Sequence, residues 1–453
     1  MLCYPVEKER ERGIVRKRTY TEVLTAGLIA GGLSVFVLYP GLQGYQAIQQ
    51  GKFGAFCALF GGYLVLMALF SLELWLTGRI RPAGPAEVWK HWTPAKKLVA
   101  FYWVWTVLSA AVSPFWPQTL VGMTRNEGLL TITLYCGCFF CVSEYGRPRG
   151  WMMHLVSGVM TLFSGYCLLQ MAGCDPLGLY PAGYGFQNAN VDYAGVYLGT
   201  IGNADLTAAL LCLAIPAMGI WLLAGKERSR LWSLLPLSLS LAALWKMQVQ
   251  AGLLAAAVSA FVILPLALPW KGKSRKGLWL ASGALAAVLL AGIYVMEPPG
   301  GTLYELHRVL HGRWDPEMGN ARVFIWREVL SRVPAHLFLG TGPDTMAAAG
   351  ISYYSRVVEG VSIPVIVDTA HNEYLNILYH QGLPALLAYG AALGSSLVSW
   401  LRRGREDTAA AICGGALLCY GIQAFFSFSM CQTAGVFWLV WGMFEYRKTE
   451  GKR

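Results

Sequence analysis

Residues 205–224 read DLTAALLCLAIPAMGIWLLA: one aspartate, then nineteen residues without a charge. A helix rises ~1.5 Å per residue, so the run covers ~30 Å, the thickness of bilayer hydrocarbon. Lipid offers the backbone no water, and a helix pairs every N–H and C=O within its own segment. The run therefore reads as a transmembrane helix. Comparable apolar runs lie near 20–40, 53–77, 98–114, 128–143, 151–171, 231–249, 252–269, 278–296, 383–400, 409–428 and 434–445. The expected fold is all-α: a polytopic membrane helix bundle of about twelve spans, with a sharp turn beside Lys246. Composition agrees, since only 13% of the 453 residues are charged, against roughly 25% in soluble domains.

Basic residues set the orientation. With the N-terminus inside, segments 1–19, 78–97, 144–150, 225–230, 271–276, 402–405 and 446–453 face the cytoplasm and hold 27 of the 36 Lys and Arg. Positive charge accumulates on that side of membrane proteins, so both termini are expected to be cytoplasmic. The +11 net charge then belongs to the inner surface, where it favours anionic lipid over nucleic acid. The first apolar run lacks a small-residue cleavage signal and reads as a retained span.

The chain divides into a basic tail (1–19), a bundle of about nine spans (20–296), an extracytoplasmic segment (297–382), C-terminal helices (383–445) and a second tail (446–453). No internal repeat stands out. Two outer loops, 172–204 and 297–371, are long enough to be functional. The first is rich in groups suited to sugars or head groups, among them Asp175, Asn188, Asn190, Asp192 and Tyr193. In the second, 302–311 and 321–332 read as short helices. Asn320 is a candidate cap for the latter, and Arg322 and Trp326 share one face, as in an interfacial helix. Gly340-Thr-Gly-Pro-Asp344 is a tight turn. No Gly-Lys-Ser/Thr follows it, which argues against a nucleotide role.

Residues 368–382 hold the strongest chemistry. Asp368 or Thr369 is a candidate helix cap, which puts His371 in the first turn, and Gly382 and Pro384 end the helix. A helix N-terminus disfavours the imidazolium and favours neutral imidazole, the form a general base needs. The same end welcomes phosphate. Arg322 and Arg125 are candidate phosphate ligands, since guanidinium binds phosphate bidentately and stays charged. Lys246, at the outer end of an apolar span, is a candidate because charge at membrane depth is costly. His307, His311 and Asp315 have a metal-like spacing, but Gly312 and Pro316 interrupt it. Cys136, Cys138 and Cys141 lie in an uncharged span and read as packing residues, while Cys174 and Cys431 both fall outside and could pair.

Together these residues resemble the O-antigen ligase / O-antigen polymerase superfamily of bacterial envelope enzymes. The resemblance rests on Arg322-Val-Phe-Ile-Trp326, Pro334, Gly340-Thr-Gly-Pro-Asp344 and His371-Asn372, followed after nine residues by Gly382-Leu383. Arg125-Asn-Glu-Gly-Leu129 and Gly202-Asn203-Ala-Asp-Leu206 add to it. The chain departs from the pattern at Gln250-Ala251-Gly252, where members often carry Ser-Arg-Gly; Lys246, one turn earlier, could substitute.

The resemblance implies an inverting glycosyltransferase of the bacterial cytoplasmic membrane, needing no metal, nucleotide sugar or other cofactor. Its donor would be a glycan on undecaprenyl pyrophosphate, and its acceptor a sugar hydroxyl on a glycan or glycolipid at the outer face. By the same carry-over His371 would be catalytic. Arg322 and Arg125, with Lys246 as substitute, would bind the diphosphate, and Asn372, Trp326, Asn203 and Asp344 would support them. Two other readings remain. A glycan transporter or flippase would perform no chemistry, but such proteins often show repeats. A peptidoglycan polymerase would need an outer carboxylate, for which Asp344 and Asp368 are available.

Overall fold

The computed structural model describes residues 3–4, 10–41, 44–78, 81–82, 84–188, 195–267, 273–358, 361–403 and 407–450. The chain is almost wholly helical. A helix stands at each expected span: Arg10–Leu33, Tyr45–Phe56 running on into Gly62–Leu76, Pro94–Val112, Leu129–Tyr145, Gly150–Met171, Ala204–Ala224, Leu234–Lys246, Gln250–Ala267, Lys273–Val295, Leu383–Arg403, Thr408–Gln423 and Cys431–Glu450.

Among the described residues, 8 helices are long and apolar enough to cross a membrane. The expected count of twelve is not reached by this measure. Leu129–Tyr145 and Gln250–Leu266 are apolar but shorter. Leu234–Lys246 has 13 residues, which rise only ~20 Å. Cys431–Glu450 carries charges at its C-terminal end. The sharp turn expected beside Lys246 is present, with Gln248 at φ 54. Gly252 follows it because a Cβ there would press on Leu244 and Ala208.

The main core is a contiguous cluster in which Leu211, Leu417, Leu439 and Trp441 are fully enclosed. In a bilayer such contacts act through close packing rather than through release of water. The Ala204–Ala224 helix sits at the centre, packed on Thr408–Gln423 and Gln250–Ala267.

The segment after Val295 forms a cap on one end of the bundle. It comprises helices Gly301–Leu310 and Met318–Arg332, an antiparallel hairpin of Ser352–Val358 with Val361–Ile366, and the helix Glu373–Gln381. Its own small core joins Ile325, Val329, Met346, Ile351, Val367, Ala370 and Tyr379. The hairpin was not expected from sequence.

Three local expectations are corrected. Asn320 makes no side-chain cap: Gly319, Asn320 and Ala321 are all left-handed, so regular helix resumes only at Arg322. His371 is not in a first helical turn. Asn372 is the N-cap, its side chain accepting from the Leu375 N–H, and His371 precedes it at φ 47. Asparagine ranks ahead of threonine as an N-cap. Finally, Cys174 is exposed, Cys431 is buried, and both are free thiols.

Candidate functional site

Three stretches far apart in sequence meet at the capped end of the bundle. Asp344, at the end of the Gly340–Asp344 turn, is the joint. Its carboxylate accepts the backbone N–H groups of Thr124 (3.2 Å) and Arg125 (2.8 Å) and the Thr124 hydroxyl (3.1 Å). Gly122 must be glycine here, for its φ is 107° and a Cβ would collide with that carboxylate. The turn does not cradle phosphate. The Thr341 and Gly342 N–H groups donate to the carbonyls of Tyr379 and His380. It is a structural knot between the 113–128 loop and the Glu373–Gln381 helix.

The knot aims Arg125 inward. Its guanidinium donates to both oxygens of Asp368, Nε at 3.0 Å and Nη2 at 2.8 Å, a bidentate pair. It also lies over the Phe428 ring, 4.2 Å from the centroid, a cation–π arrangement. The opposite requirement, holding Phe428 in place, falls to two half-buried glutamates. Glu373 accepts the Ser429 N–H at 3.1 Å, and Glu127 accepts the Cys431 N–H at 2.6 Å and the Tyr135 hydroxyl at 3.0 Å. Burial raises both carboxyls above the usual glutamate range, and for Glu127 the neighbouring Glu373 adds to the rise.

His371 stands edge-on to the same Phe428 ring, centroids 5.2 Å apart. Its loop is pinned from both sides. The Trp326 indole donates to the Ala370 carbonyl at 2.9 Å, and the Asn376 side chain accepts the Ala370 N–H at 2.8 Å. Burial first, then the positive charges of Arg322 and Arg125, push the imidazole down to about 3. It is therefore neutral at physiological pH. Its Nδ1 has no hydrogen-bond partner among the described residues, so packing against Phe428, not a carboxylate, orients the ring.

Arg322 completes the group. One Nη donates to the Gly319 carbonyl at 2.8 Å, and the other lies 3.6 Å from Asp205. That pair is loose, and neither side chain is fully buried (17% and 26% exposed). Asp205 is placed by its neighbour, for Asn203 caps the Ala204–Ala224 helix and puts Asp205 in the first turn.

The structure thus brings together Arg125, Arg322 and His371, with Asp344, Asn372, Trp326 and Asn203 each holding one of the supporting elements. It does not join Lys246 to them. That side chain is exposed at the end of its helix and makes no contact with the group among the described residues. Ala251, at the position of the departed arginine, is buried.

The loop 172–204 is partly self-contained: Asp175 is taken up by Tyr166 (2.6 Å), Gln170 (3.0 Å) and the Tyr180 N–H (2.8 Å). Asn190, Asp192 and Tyr193 lie outside the described residues. Asp315 pairs with Arg308 at 3.0 Å, and among the described residues no cluster of three or more His, Cys, Asp or Glu could hold a metal.

Phe428 and Glu373 were not among the candidates read from sequence, and Asp368, Asp205 and Glu127 stood in the quoted stretches without their partners. Asp205 had a signal in the quoted Gly202–Leu206 stretch. Phe428 had none.

Residues 235–390 match the family model described as O-antigen ligase. The match bears out the resemblance to the O-antigen ligase/polymerase superfamily. It covers Arg322, Trp326, Asp344, Asp368, His371 and Asn372; Arg125, Asn203, Asp205 and Phe428 lie outside it. No curated protein matches the chain.

Proposed function

Taking residues 235–390 as those of an O-antigen ligase, we propose that this multi-pass membrane protein is a glycosyltransferase of the ligase/polymerase type. It moves a glycan from undecaprenyl pyrophosphate to a sugar hydroxyl at the outer face of a bacterial cytoplasmic membrane. The observation that carries the reading is the meeting of His371 and Arg125 on one contact, the Phe428 ring, at the end of the bundle where Arg322 also lies.

The donor's prenyl tail stays in the bilayer and its diphosphate enters between the arginines. Asp368 on Arg125 and Asp205 on Arg322 hold these cations in the absence of donor, and the diphosphate displaces them. Its negative charge then offsets the guanidiniums, so His371 becomes a stronger base when donor is bound. The acceptor hydroxyl gives its proton to His371 while its oxygen attacks the anomeric carbon. The carbon–oxygen bond to the diphosphate breaks, and the arginines take up the charge of the leaving group. A single displacement inverts the anomeric centre.

The flippase reading needs no base and no cationic clamp at one face. The two are separated by supplying purified protein in sealed vesicles with a lipid-linked glycan and a glycan acceptor, without any gradient. Formation of a longer glycan with release of undecaprenyl pyrophosphate supports transfer. Movement of intact lipid-linked glycan across vesicles, with no covalent product, would overturn it.

A further inference from the structure

A cavity of about 590 Å³ opens at the end of the bundle opposite His371. Two helices fix its place. The Ala204–Ala224 helix begins at the site with Asp205, and its far end, Trp221 to Gly225, lines the cavity. The Thr408–Gln423 helix begins at the cavity with Thr408 and runs back toward Phe428.

The cavity is amphipathic along its length. Its charged lining residues, Arg149, Lys226, Glu227 and Asp407, are all at the mouth, and the interior is apolar. Four methionines, Met152, Met153, Met160 and Met443, form part of its wall, and thioether side chains adapt to irregular chains. From Leu210 to Trp221 the slot follows one helix, about 16 Å at the helical rise. That depth exceeds half of the ~30 Å hydrocarbon layer.

The mouth carries two cations and two acids, and the cations have the weaker partners. Lys226 is exposed and makes no hydrogen bond or ion pair among the described residues. Arg149 is 46% exposed, with Glu22 at a loose 3.4 Å. The acids are more engaged: Asp407 accepts the Ala409 and Ala410 N–H groups, and Glu227 the Ser229 hydroxyl. The 22-residue helix starting at Gly150 has no side-chain cap and points its positive end at the same rim.

We propose that this cavity is a binding site for one membrane phospholipid, with its phosphodiester at Arg149 and Lys226 and one acyl chain in the slot. The site is distinct from the donor site at the other end and does not depend on the transferase reading.

The test is native mass spectrometry of protein released from nanodiscs of phosphatidylethanolamine and phosphatidylglycerol (3:1), doped with undecaprenyl phosphate. The wild type is expected to retain one phospholipid per chain as a discrete adduct. Lys226→Glu, at an exposed position, should cut its retention at least fivefold, and Ala217→Phe, which fills the slot, should do the same. Equal retention in wild type and Lys226→Glu, a retained undecaprenyl phosphate instead, or no discrete adduct in the wild type would each overturn the proposal.

Discussion

Asp344 is the residue at which two roles for a carboxylate part company. In this structure it is 3% exposed and accepts three hydrogen bonds from the Thr124–Arg125 corner. Asp344→Asn keeps the shape. The amide oxygen can face the two backbone N–H groups while its NH2 meets the Thr124 hydroxyl. What is lost is the charge on the acceptor, which makes such bonds about twice as strong. With two N–H donors at roughly 1 kcal/mol each, the cost is about 1–2 kcal/mol. Asp344→Ala leaves both N–H groups without an acceptor, at about 1–3 kcal/mol each, and releases Arg125. A displacement of ~1 Å in a positioning group costs up to about 10²-fold in rate. The expected outcome is graded: less than about tenfold loss of glycan transfer for Asn and about 10²-fold for Ala, each with a lowered unfolding midpoint in detergent. Intrinsic tryptophan fluorescence reads the midpoint, and transfer to a labelled acceptor reads the rate. A loss above about 10³-fold in Asp344→Asn with an unchanged midpoint would instead make Asp344 a participant in the chemistry.

The remaining predictions concern the cations and the base. Because burial and two arginines hold His371 at about 3, kcat/KM of the free enzyme should show no His371-dependent acid limb between pH 5 and 8. Arg322→Ala removes one positive neighbour, so the imidazole rises and any acid limb should move to higher pH; a downward move in the pH–rate profile would contradict this. Arg322→Lys should raise the donor KM about tenfold or more, since an ammonium cannot grip a diphosphate bidentately; an unchanged KM counts against the clamp. Trp326→Phe removes the indole bond to Ala370, worth ~1 kcal/mol, and should slow transfer several-fold with donor affinity kept. Lys246→Ala, at an exposed side chain outside the group, should change transfer by less than about threefold, as read in the same assay.

The helices were legible because apolar length is a local property. A helix is present at every expected span, including the turn at Gln248. What composition could not supply was the length of each helix on either side of that turn: Leu234–Lys246 is cut short by it. The site was half legible. His371, Arg322 and Arg125 carry distinctive chemistry in recognisable motifs. Their partners do not. Phe428 is one aromatic among many in an apolar stretch, and its role arises only when the 113–128 loop and the final bundle turn pack together. Glu127 and Glu373 look like ordinary helix-flanking acids until their hydrogen bonds to Cys431 and Ser429 are seen. The exact start of the 373–381 helix also turned on which of Asp368, Thr369 or Asn372 wins the cap. Thr369 is instead engaged with the Asn376 side chain, Nδ2 to Oγ1 at 3.0 Å, and so is not free to cap.

In the proposed reaction His371 removes the acceptor's proton. Single-turnover transfer by reconstituted His371→Ala, from preloaded undecaprenyl-pyrophosphate-linked donor and with folding matched to wild type, tests it most directly. With His371 as the base, the chemical step should fall about 10²–10⁴-fold with donor still bound. Transfer within about threefold of wild type would contradict it.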